Sequence, residues 1–161
     1  MDFIRKKIKF KKDIDFNFVS HALDVNNHDT IFSGAWFDKK ILQSVMQIRN
    51  VGKNEEFKYV YDQLKKHCIK KQKNYDLDLF MSWVMGTRST THKDEYDVWI
   101  LGCHGRTMYK VGYKEIIVEK GDLLYIPKNT THTAIGLDPR IILSLGILFR
   151  SILKLIILAI I

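Results

Sequence analysis

From residue 76 to residue 147 the chain alternates short stretches of strand-forming residues with turn chemistry, and no other pattern in it restricts the fold so tightly. Leu77, Leu79, Met81 and Trp83 alternate with Asp78, Phe80, Ser82 and Val84, the period of two by which a strand shows one face to a core. Further strand signals cover 97–103, 106–111, 115–119, 122–126, 131–135 and 140–147. Between them stand Gly105, Gly112, Lys120-Gly121-Asp122, Lys128-Asn129 and Leu137-Asp138-Pro139, residues that favour turns. Strands this short and this evenly spaced close into a sandwich or a barrel.

Before residue 76 the pattern is helical. Asp38 is placed to cap a helix carrying Ile41, Leu42, Val45 and Ile48, which Gly52 and Asn54 then break. A second helix over 55–70 puts Phe57, Val60, Tyr61, Leu64 and Cys68 on one face, with an acidic start and a basic end that suit the helix dipole. No period repeats and no Pro-, Gly- or Ser-rich linker divides the 161 residues, so the length predicts one domain, 1–161. Within it lie a helical N-terminal part (1–75), a barrel (76–147) and an apolar tail (148–161).

Hydrophobic content of 46% with 12% aromatics excludes a disordered chain. The net charge of +8 is concentrated in Arg5-Lys6-Lys7 with Lys9, Lys11 and Lys12, and in Lys65-Lys66 with Lys70, Lys71 and Lys73. Such runs read first as solvated faces, and second as surfaces steering an acidic partner or RNA toward the basic N-terminal half. Cys68 and Cys103 form neither a metal-type nor a redox-type pair, which predicts reduced thiols and a cytoplasmic protein. The N-terminus has charge without an apolar run behind it, and so does not read as a signal peptide. Residues 141–161 are long enough to cross a bilayer, but Arg150 and Lys154 fall in the middle of the run. No membrane span is therefore expected; the tail reads as a terminal helix covering a sheet face or a homodimer contact.

The chemistry concentrates in three residues. His92 and Asp94 are two apart, so on a strand they share a face, and His132 stands five residues beyond Pro127. Two imidazoles and a carboxylate on one side of a divalent ion leave the other side open, the ligand set of non-haem iron(II) chemistry. Nothing else competes: the chain has no Gly-x-Gly-x-x-Gly, no P-loop and no nucleophile elbow, and Cys103 and His104 are adjacent, so their side chains diverge. His104 at its turn, His67 beside a helix face, and His21 and His28 without partner spacing read as ordinary structural or surface histidines.

Gly86 followed after five residues by His92-Lys93-Asp94, and Gly121 followed after five by Pro127 and then His132, resemble the two motifs of the cupins. Asn129 stands where cupins carry a glycine, and asparagine also tolerates a left-handed turn. The stretch His-x-Asp-x-Tyr-Asp-Val-Trp-Ile-Leu with Gly105-Arg106, and Gly-Asp-Leu-Leu-Tyr-Ile-Pro after it, is similar to the JmjC branch that hydroxylates arginine or histidine of ribosomal proteins. The resemblance spans roughly 78–147. It implies a mainly β fold, a double-stranded β-helix (cupin or jelly-roll barrel) with the N-terminal helices packed on one side. It also implies Fe(II) held by His92, Asp94 and His132, with 2-oxoglutarate as co-substrate of an oxygenase.

In that branch a basic residue fifteen positions after the first histidine holds the far carboxylate of 2-oxoglutarate. Here that position is Thr107, with Arg106 beside it. A one-residue bulge near Gly105 would turn Arg106 inward, making Arg106 and Thr107 the expected co-substrate residues. Without the bulge, Arg88, Lys110 or Arg140 must serve. Ser89 and Ser144 are expected to touch the co-substrate as well. Two alternatives stand beside this reading: a small metal cupin (an isomerase or dioxygenase) without 2-oxoglutarate, and a non-catalytic binding module. Small metal cupins usually add a glutamate ligand where this chain has Val98 and Trp99. The sequence leaves the substrate open, protein or small molecule.

Overall fold

Three strands, β5 (Val98–His104), β8 (Asp122–Ile126) and β10 (Arg140–Ile147), read as nearly unbroken apolar runs because both of their faces are covered. The computed structural model describes residues 5–26, 30–32, 44–68 and 75–147. In chain order its elements are β1 (Arg5–Lys7), α1 (Phe16–Asn26), β2 (Thr30–Phe32), β3 (Met46–Ile48), a 3-10 turn (Val51–Lys53), α2 (Glu55–His67), β4 (Tyr75–Ser82), β5, β6 (Thr107–Val111), β7 (Lys114–Val118), β8, β9 (His132–Gly136) and β10. They form an antiparallel sheet in the order β1-β8-β5-β10-β4-β3-β2 and a smaller one in the order β7-β6-β9.

Alternation along the central strands separates two cores. Leu77, Leu79 and Met81 of β4, Trp99 and Leu101 of β5, and Ile141, Leu143 and Leu145 of β10 pack outward, with Phe57, Val60 and Leu64 of α2. The opposite faces, with Val98, Ile100, Leu124, Ile126 and Ile142, meet Tyr109, Val111 and Ala134 of the smaller sheet inside the barrel. The mainly β barrel with helices on one side is thus the architecture found.

The N-terminal part is not all helix. The helix expected to run through Val45 and Ile48 gives way to β3, whose residues pair with β4 in the register Met46–Met81 and Ile48–Leu79. Both side chains are buried there, and non-local pairing overrides the helical spacing. β1 similarly adds an edge strand to β8. The proposed cap Asp38 and the tail 148–161 lie outside the described residues. Among the described residues no helix is long and apolar enough to cross a membrane.

α2 starts where Asn54 caps it. Its buried side chain accepts a hydrogen bond from the Glu56 amide at 2.7 Å through Oδ1. Through Nδ2 it donates to the Ala22 carbonyl of α1 at 3.0 Å, so one residue ends a turn and ties two helices together. Asn54→Ala removes both bonds and is expected to cost about 2 kcal/mol, a cap plus a buried hydrogen bond. The check is urea unfolding, where the midpoint should fall at unchanged slope.

Candidate metal centre and its pocket

The three ligand-type residues meet because a loop edge runs alongside β9. Residues 86–92 follow β9 antiparallel through the Gly86 amide to the Gly136 carbonyl (2.8 Å), the Ser89 amide to the Ala134 carbonyl (2.9 Å), and a reciprocal pair between His92 and His132 (3.0 and 2.9 Å). His92 therefore makes a single bridge and does not sit within a strand, and Asp94 follows it in a loop. The Asn129 amide holds that loop by donating to the Asp94 carbonyl at 2.6 Å. Asn129 is in the left-handed region, φ 60°, as the replacement of a glycine there requires.

Both imidazoles are aimed by the same local device. Nδ1 of His92 lies 2.8 Å from the Thr90 carbonyl and Nδ1 of His132 lies 3.0 Å from the Thr130 carbonyl. A carbonyl accepts, so Nδ1 carries the proton, and in the neutral ring Nε2 keeps its lone pair for a ligand. Those two Nε2 atoms face Asp94, at 3.8 Å from its Oδ1 and 3.5 Å from its Oδ2. All three donors lie within 4.8 Å of one another. Neighbouring ligands about 2 Å from a divalent ion stand about 3 Å apart, so small side-chain movements close the set on a metal. The donor set fits a redox-active divalent ion with open positions. His132 is 6% exposed, Asp94 23% and His92 42%, so the centre faces solvent on the His92 side.

Behind it lies a cavity of about 460 Å³, large enough for a small organic acid. Val98, Ile100, Tyr109, Ala134 and Ile142 give it apolar walls; Ser89, Ser144 and Arg140 add polar groups; Asp76, Asp78 and Tyr96 line another part. Burial pushes the Tyr109 phenol well above its usual range, with Arg140 opposing the shift, and burial lowers the Arg140 guanidinium. The Asp76 carboxyl is raised, first by burial and then by Asp78. Tyr96 packs its ring against Gly146, where an added Cβ would stand 2.7 Å from it.

His92, Asp94 and His132 are thus brought together, and Ser89 and Ser144 line the cavity beside them. Ser89 is already engaged: its Oγ accepts from the Ala134 amide at 3.0 Å and its carbonyl accepts from Thr133 Oγ1 at 2.8 Å. Arg106 does not turn inward. It is 53% exposed and grips Asp138 through Nε at 2.7 Å and Nη2 at 3.1 Å. A register shift does occur next to Gly105, but it places the extra residue at Cys103 of β5, between partners Ile141 and Ile142, and leaves β6 regular. Thr107 is buried without lining the cavity, and its Oγ1 has no partner among the described residues. Of the alternative cations, Lys110 pairs with Glu115 at 2.8 Å and Arg88 is exposed, whereas Arg140 lines the cavity. The sequence reading missed Tyr109, Asp76 and Asp78; alternation from Phe80 back along β4 is the signal that places both aspartates on its inner face.

A family profile described as the JmjC domain matches residues 112–155. The structure of YcfD, a ribosomal oxygenase from Escherichia coli, in complex with cobalt and 2-oxoglutarate superposes with a TM-score of 0.73 at 20% identity. That match covers 96% of this chain. The chain therefore shares the β-barrel fold of that protein. The same E. coli protein with cobalt and succinic acid gives a TM-score of 0.73 at 20% identity, over 96% of this chain and 50% of that one. A further X-ray structure of it gives 0.71 at 19%, over 96% and 51%. The chain spans about half the length of those relatives, 50% of the first. No curated protein matches it in sequence.

Proposed function

We propose that this JmjC-type barrel is an iron(II)- and 2-oxoglutarate-dependent oxygenase that hydroxylates a protein substrate. The observation that carries the reading is the convergence of His92 Nε2, His132 Nε2 and Asp94 on one point at the edge of a cavity sized for a small acid. The relatives' cobalt, 2-oxoglutarate and succinic acid support the cofactor set, and their name, ribosomal oxygenase, supports a protein of the ribosome as substrate. Cys68 and Cys103 are both free thiols, which suits work in the reducing cytosol.

Bound iron supplies the activation of dioxygen that lets an unreactive carbon be oxidised. The chain's own residues supply geometry. Thr90 and Thr130 fix the ring orientations, and the Asn129 amide fixes the loop that carries Asp94. Tyr109, Ile100 and Ile142 keep the inner cavity apolar, so that an acid bound there meets few waters. The exposed edge of His92 leaves a way in for a substrate side chain.

Anaerobic titration with Fe(II), with and without 2-oxoglutarate, tests the reading. One Fe(II) per chain is expected, and a visible charge-transfer band only when both are present. One bound iron with no band and no calorimetric binding of 2-oxoglutarate would replace the oxygenase with a simple metal cupin.

A further inference from the structure

Arg140 is 2% exposed, yet no carboxylate lies within ion-pair distance of it among the described residues. Its guanidinium is held at two points: Nε donates to Ser82 Oγ at 3.3 Å and Nη2 donates to the Thr87 carbonyl at 3.4 Å. Thr87 Oγ1 in turn donates to Ser82 Oγ at 2.9 Å. Nη1 is buried and has no partner among the described residues. Arginine keeps its charge in a protein, so burial without an anion leaves a cation whose desolvation is uncompensated. A positioned guanidinium with a donor to spare on a cavity wall is a carboxylate site.

Its place in the barrel is specific. Gly136 leaves room for it: a Cβ there would stand 3.2 Å from Arg140 Nε and 3.0 Å from Thr87 Oγ1. Gly136 pairs across the sheet with Thr107, another buried residue, whose Oγ1 lacks a partner among the described residues. Gly136 is also two inward positions along β9 from His132, with Ala134 between. A linear acid whose 2-oxo end reaches the metal centre would pass the small Ala134 and end its far carboxylate at Arg140. Val98, Ile100 and Ile142 add apolar walls to the same cavity.

We infer that Arg140, reaching in from β10, anchors the far carboxylate of a five-carbon 2-oxo diacid in this pocket. The charge that β6 lacks at Thr107 is supplied from β10 to the neighbourhood of the Thr107–Gly136 pair. This rests on the oxygenase reading, with 2-oxoglutarate as the acid.

Calorimetry on the full chain loaded with Mn(II) tests it. 2-Oxoglutarate should bind wild type, Arg140→Met should weaken that binding about ten- to a hundredfold, and Arg140→Lys should fall between. Arg106→Ala should bind as wild type does, and Mn(II) affinity should be the same in all four proteins. 2-Oxopentanoate, which lacks the far carboxylate, should bind wild type at least ten times more weakly than 2-oxoglutarate, an arm that needs no variant to fold. Equal binding of the two acids by wild type, or equal 2-oxoglutarate binding by wild type and Arg140→Met, would overturn the anchor while leaving the oxygenase reading in place. Mn(II)-loaded wild type that binds neither acid would overturn both.

Discussion

His132→Ala is expected to abolish metal binding while leaving the barrel folded. The imidazole is one of three donors, and its ring is held by the Thr130 carbonyl and buried behind the other two. Disturbing an outer partner of a metal ligand already costs about ten- to a hundredfold in affinity, so removal of a ligand itself should exceed a hundredfold. The backbone does not depend on the ring. Its reciprocal bonds with His92 and its pairing with Val111 run through the main chain and survive the substitution. The stability cost should stay near the average for a point change, about 1 kcal/mol. Mn(II) calorimetry and the thermal midpoint of the apo chain read the two effects separately. Retained stoichiometry and affinity would show that the metal sits elsewhere, and loss of the folded state would show that the imidazole holds the β9 edge in place.

The barrel was legible because its signals are local. β8 (Asp122–Ile126) and β10 (Arg140–Ile147) fall where the turns at 120–122 and 137–139 place them, and α2 follows the stripe of Phe57, Val60 and Leu64. β3 was not legible, because Ile41, Leu42, Val45 and Ile48 satisfy a helical period while Met46 and Ile48 also satisfy a strand's. Only the distant partner strand β4, paired as Met46–Met81 and Ile48–Leu79, decides between them. α1 (Phe16–Asn26) was not read from the sequence, although Asp15 caps it: its Oδ1 accepts from the Phe18 amide at 2.8 Å.

The candidate site divides in the same way. His92, Asp94 and His132 stand at spacings that survive in one dimension. The cation does not, because its position depends on which strand faces which. Counting from His92 leads to Thr107 and its neighbour Arg106, but Asp138, on the far side of the turn, captures Arg106 at the surface. The inward charge comes instead from two residues after that same Asp138.

Gly105→Ala is expected to be the more damaging of two matched substitutions at left-handed glycines. Gly105 has φ +65° and Gly112 has φ +58°, so alanine meets a similar backbone penalty at both, about 1–2 kcal/mol. Their surroundings differ. Nothing lies within 4 Å of a Cβ added at Gly112, whereas at Gly105 it would collide with the Pro139 carbonyl oxygen and stand 3.3 Å from the Arg140 Cα. The obstacle is backbone and cannot rotate away, so an overpacking cost of about 1–3 kcal/mol adds to the strain. For a domain of this size the combined loss lowers the thermal midpoint by roughly 5–15 °C, against a few degrees for Gly112→Ala. The displaced backbone also carries Arg140, so 2-oxoglutarate affinity should fall in Gly105→Ala with Mn(II) affinity unchanged. Paired thermal melts and calorimetry on the two variants separate the contributions. Equal midpoints would mean that the 137–139 turn yields to a methyl group, and unchanged 2-oxoglutarate affinity would mean that Arg140 keeps its place when the backbone beneath it moves.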